Sequence, residues 1–154
     1  MRRGISFEVP NGYESLLGEV LKPIDITIFS WRIGDGESYI VENDQLGKEL
    51  FSEDRDSIDG GELKNLLEGN EYYIIFADLQ AYLKGEFSDI DTYEEFIGSK
   101  CQLVLLVVDC SYVTIYCQNK KDLELLYDNA RDCGFENVEY ITDENDTRTR
   151  LSVW

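Results

Sequence analysis

The chain has 154 residues, 43% hydrophobic and 12% aromatic, which is enough apolar material for one core and too much for a disordered chain. Its 32 acids against 14 Lys and Arg leave a formal charge of −18, which disfavours nucleic acid and anionic membrane as partners because both are polyanions. Histidine is absent, which removes Ser-His-Asp and Cys-His nucleophiles, histidine general bases and histidine metal ligands.

In chain order, Arg2 and Arg3 lead into no apolar stretch, so the N-terminus does not read as an export signal. Gly4–Val9 alternates and puts Ile5, Phe7 and Val9 on one strand face. Asn11-Gly12-Tyr13-Glu14 precedes Leu16, Leu17, Val20 and Leu21, with Pro23 after them, and predicts a first helix. Ile26–Ile33 and Ser38–Glu42 predict two strands, joined in a hairpin by the Asp-Gly pair within Gly34–Glu37. Asp59-Gly60-Gly61-Glu62 opens a second helix carrying Leu63, Leu66 and Leu67 and ended by Gly69. Tyr72–Ala77 is a nearly continuous apolar run, as expected of a central strand covered on both faces.

Asp91-Thr92-Tyr93-Glu94 opens a third helix with Phe96 and Ile97, closed by Gly98. Leu103–Val108 predicts a second central strand, returned by Tyr112–Cys117 through a tight turn. Asn119-Lys120-Lys121-Asp122 opens a fourth helix, in which Leu123, Leu126, Tyr127 and Ala130 form one face and Gly134 supplies the stop. Asn137–Thr142 and Arg148–Val153 predict a last strand pair around the turn residues Asp143–Asp146. The expected fold class is α+β: a single, mixed, largely antiparallel sheet with about four helices packed on it, in one acidic domain over residues 1–154.

The four Cys (101, 110, 117 and 133) form no Cys-x-x-Cys pair and read as reduced, core-like thiols in a cytoplasmic protein. The longest apolar run is far too short to span a bilayer. No phosphate-binding glycine motif occurs, and the acidic run from Glu53 to Glu62 lacks EF-hand spacing: starting at Asp54, position 5 is Ile58. No cofactor or metal is expected.

Asp78 and Asp109 follow the two apolar strands. If those strands were parallel, the pair would sit where metal-dependent hydrolases and phosphotransferases keep carboxylates; if antiparallel, the acids would lie at opposite edges of the sheet and could not share a metal. The charge is also uneven. Between Asp35 and Glu62 stand ten acids and two bases, a balance of −8. Helix capping and a turn account for Asp59, Glu62 and Asp35. Glu37, Glu42, Asp44, Glu49, Glu53, Asp54 and Asp56 have no local structural duty visible in the sequence. They read either as a solvated face or as a docking surface for a basic protein, with Trp31, Tyr39 and Phe51 as aromatic contacts. For Trp31 and Tyr39 the competing reading is core packing.

Three stretches carry a resemblance: Arg3-Gly4-Ile5-Ser6-Phe7-Glu8 with Pro10, Cys101 to Asp109, and Tyr140 to Arg150. Together they resemble a small family of uncharacterised proteins from bacilli and related Gram-positive bacteria, along the whole chain. The resemblance implies a bacterial, cytoplasmic protein and transfers no catalytic or binding residue. In size and acidity the chain is also similar to immunity proteins that neutralise bacterial toxins. The resulting expectation is a non-enzymatic, acidic protein-binding module that masks a basic, nuclease-like toxin domain. A DNA mimic inhibiting a nucleic-acid-binding protein, and an Asp78/Asp109 metal-dependent enzyme, are the alternatives.

Overall fold

The computed structural model describes residues 1–83 and 87–153. Among these, nine strands form one sheet with every pairing antiparallel, and four helices pack on it. The strands are β1 (Arg2–Glu8), β2 (Phe29–Ile33), β3 (Glu37–Glu42), β4 (Gln45–Glu49), β5 (Ser57–Asp59), β6 (Tyr72–Leu83), β7 (Cys101–Val108), β8 (Tyr112–Cys117) and β9 (Glu136–Thr142). The helices are α1 (Leu16–Val20), α2 (Gly60–Glu68), α3 (Tyr93–Ile97) and α4 (Lys120–Asp132). No helix among the described residues is long and apolar enough to cross a membrane.

The sheet runs β4-β3-β6-β7-β8-β1-β9, with β2 and β5 off that path. Both faces of its centre are covered, which explains the unbroken apolar run in β7. Leu103, Leu105 and Val107 face the larger core, built with α1, α2 and α4, while Val104 and Leu106 face a second core with Tyr82, Tyr93, Phe96 and Tyr116. The tail seals that second face. The Asp146 carboxylate accepts from Tyr116 Oη (3.0 Å) and Arg3 Nη1 (3.2 Å), and Leu151 is buried.

Three helices begin on side-chain caps: Asp59 accepts from the Gly61 N–H, Asn119 from the Asp122 N–H, and Thr92 forms a reciprocal capping box with Glu95. The first helix differs from expectation. It starts after Ser15, whose hydroxyl donates to the Asn70 carbonyl instead of capping, so tertiary packing of Leu16, Leu17 and Val20 holds it. The four cysteines are free thiols, and burial pushes Cys101 and Cys117 up to about 12.

Three strand expectations need correction. Ile26–Ile28 forms a 3-10 turn capped by Asp25, so the second strand begins only at Phe29. Residues 34–36 make no hairpin: β2 and β3 both pair with β6, at Leu79–Leu83 and at Tyr72–Phe76, and run on in one direction. The hairpin lies one strand later, where Asn43 (φ 53°) and Asp44 (φ 61°) take the left-handed conformation between β3 and β4. Arg148–Val153 forms no strand, because its segment crosses the second face, where Leu151 N–H donates to the Asp91 carbonyl.

Candidate functional site

The long strand β6 carries two successive neighbours on one side, and these in turn carry two more. Inward to outward, the first line is β2 then β3, and the second is β5 on β2 and β4 on β3. Both lines are interrupted at the same level. The inner line breaks at residues 34–36 and the outer at residues 50–56; pairing with β6 resumes one residue out, with Glu37 opposite Phe76, and a bulge restores the earlier register, so that Ile33 opposes Leu79 and Ser38 opposes Ile74. The coincident interruptions open a cavity of about 810 Å³ over Phe76–Leu79 of β6.

Glycine at two positions keeps this opening clear. A β-carbon on Gly36 would come within 2.6 Å of the Phe76 carbonyl oxygen, and one on Gly34 within 2.9 Å of the Asp78 carboxyl carbon. These close approaches are what Gly34-Asp35-Gly36 supplies here. The Gly34 N–H still reaches the Asp78 carbonyl (2.8 Å), so the backbone stays tethered where the ladder fails.

Six carboxylates line the cavity: Asp35, Glu37, Glu49, Glu53, Asp56 and Asp78. The one basic residue in the lining, Arg55, forks onto Glu62 instead (2.5 and 3.2 Å), leaving the acids without a countercharge from it. Tyr39 and Phe51 contribute half-buried rings, and the Tyr39 hydroxyl donates to Glu37 (2.7 Å). Trp31 belongs to the core: it is fully buried and its indole N–H donates to the Ile26 carbonyl (3.1 Å).

All seven carboxylates expected at a docking surface are exposed: Glu37, Glu42, Asp44, Glu49, Glu53, Asp54 and Asp56. Among the described residues none of them enters an ion pair. The fold divides them. Glu37, Glu49, Glu53 and Asp56 face the cavity, whereas Glu42, Asp44 and Asp54 lie outside its lining. Asp44 also has the structural duty of a left-handed turn residue.

Asp78 does not end its strand, because β6 continues to Leu83. Its neighbours Ala77, Leu79 and Ala81 turn to the larger core, and Asp78 points to the opposite face at the cavity's inner end. No hydrogen bond to its carboxylate occurs among the described residues. Burial, reinforced by Asp35 and opposed by Arg32 and Arg148, raises its pKa to about 6. Sequence reasoning misses this role because it ends the strand at Ala77, six residues before Leu83, and so puts Asp78 after the strand instead of inside it. The recurrence of Leu79 and Ala81 beyond Asp78 was the available signal.

The structure does not bring Asp78 and Asp109 together. Strands β6 and β7 are antiparallel with Asp78 opposite Leu106, and Cys110 N–H donates to the Ile75 carbonyl, so Asp109 lies near the level of Ile75. Three residues of strand separate the two levels, about 10 Å. Asp109 instead adopts the left-handed turn conformation (φ 50°) between β7 and β8. Among the described residues no group of three or more His, Cys, Asp or Glu is arranged to hold a metal ion.

Comparison with known proteins places the sequence on familiar ground. The chain is 46% identical over 154 residues to the "Uncharacterized protein YncE" of Bacillus subtilis (strain 168), an alignment covering 99% of this chain and 100% of that protein. No solved structure matches it. A family model described as "Protein of unknown function (DUF2691)" matches residues 2–152, and the chain belongs to that family.

Proposed function

We propose that this protein is an acidic, non-enzymatic binding module of the bacterial cytoplasm that masks a basic, nuclease-like protein partner in the manner of an immunity protein. One observation carries the reading. The edge of the sheet beyond β6 presents seven exposed carboxylates free of ion pairs among the described residues, four of them lining an acidic opening whose own arginine is turned away onto Glu62. A basic surface approaching this edge meets uncompensated negative charge, which speeds encounter and rejects acidic competitors. Nuclease sites are themselves basic because they bind phosphate, which makes them complementary in sign.

The test is kinetic. Association with a basic partner recovered from the native cell should slow steeply as salt rises, because the screening length shrinks from about 10 Å at 0.1 M to about 3 Å at 1 M. Replacing Glu53, Asp54 and Asp56 together by amides should slow association with little change in dissociation. Association that ignores both salt and the triple replacement would remove the docking reading.

A further inference from the structure

We infer that the cavity between residues 34–36 and 51–56 is a receptor for one arginine side chain presented by a protein partner. The source of that arginine rests on the docking reading above, whereas the binding of a guanidinium rests on the cavity alone.

The opening is built into the sheet. Two adjacent lines break at one level and the inner one recovers its register on the far side, so the cavity costs local ladder hydrogen bonds without shifting the strands. Its volume, about 810 Å³, is in the range of pockets that enclose a bound group, ~300–1,000 Å³. At the inner end stands the half-buried Asp78 carboxylate, to which no described residue donates a hydrogen bond. The two arginines on its face are committed elsewhere: Arg32 donates to the Ser88 carbonyl (2.9 Å) and pairs with Asp89 (2.8 Å), and Arg148 donates to the Ser152 carbonyl (2.7 Å). A carboxylate withdrawn from water and lacking a donor gains most from a group that brings both charge and N–H.

The walls favour arginine among cations. Tyr39 and Phe51 offer ring surface on which a planar guanidinium stacks, while Glu37 and Glu53 stand at hand for its remaining N–H groups. A compact, strongly hydrated ammonium uses the rings less well. The lack of a preformed cluster of metal-ligating groups among the described residues also sets this lining apart from a metal site.

The experiment follows backbone amide shifts of the full chain by NMR during titration with the tripeptide acetyl-Gly-Arg-Gly-amide. The citrulline peptide of the same shape serves as the uncharged control, both at 0.15 M salt. Saturable shifts centred on Gly34, Gly36 and Asp78, absent with citrulline, are expected. Asp78→Asn should weaken arginine binding roughly tenfold, the change that losing one charge-assisted hydrogen bond produces. Unchanged shifts elsewhere in Asp78→Asn would show that the fold persists. Shifts spread over Glu42, Asp44 and Asp54 without saturation, or an Asp78→Asn variant binding like the parent, would overturn the inference. Saturable peptide binding without any basic protein partner would support the cavity and remove only the docking reading. A basic partner bound equally well by Asp78→Asn, with the cavity amides silent, would do the reverse.

Discussion

Asp78 is held at a cost to the folded state. Its pKa of about 6, against an ordinary value of 3.8, means that the fold binds this proton more tightly than the unfolded chain does. The stabilising contribution is therefore complete below about pH 3.8 and is lost as pH rises through about 6. Asp78→Asn removes the dependence. It should be more stable than the parent at pH 8 by about 1–3 kcal/mol, the order that a shift of this size implies, and the difference should close by pH 4. Urea midpoints at the two pH values check this, and an equal gap at both would show that the charge is not the cause. A carboxylate that weakens the neutral-pH fold, beside a glycine that leaves it room, is consistent with a residue kept for what it binds.

At the scale of elements, the clearest local prediction concerns α4. Asn119→Ala removes the side-chain acceptor for the Asp122 N–H and should cost about 1 kcal/mol, read as a lowered denaturation midpoint with unchanged slope. The same end signals made α2, α3 and α4 legible in the sequence, because Asp59, Thr92 and Asn119 act through contacts within a few residues. The central strand β7 was legible for a related reason: burial on both faces leaves no polar position in Leu103–Val108. The outer strands were not. β4 is exposed at every residue, so Gln45–Glu49 carries no apolar alternation, and β5 is only three residues long. The Asp-Gly pair at 35–36 reads as a hairpin turn because a glycine demanded by a close approach to Phe76 looks, in sequence, like one demanded by a turn. The acids of the site were visible as a charge excess. Their cavity was not, since its inner wall comes from β6, far along the chain.

For the molecule as a whole, −18 is a repulsive load that the two cores must offset. The fold spends some of its few cations on joining its ends. Arg3 reaches both Asp143 (2.9 Å) and Asp146 (3.2 Å), the N-terminal amine approaches Asp143 (3.7 Å), and Arg150 pairs with Asp91 (3.0 Å). The acidic edge lies across the sheet from β9 and receives little of that compensation, Arg55–Glu62 being the pair nearest the cavity. The double interruption of that edge also divides its motion. β4 with β3 and β5 with β2 hang on separate stretches of β6, so each half is free to peel away while the other stays paired. In deuterium exchange, amides of Gln45–Glu49 and Ser57–Asp59 should therefore exchange with two distinct rates, both faster than those of Cys101–Val108, which is paired on both sides. A guest spanning the gap would lock the two flaps into a single opening event. Occupancy would then be felt as a shared protection of segments that do not touch each other in the free protein.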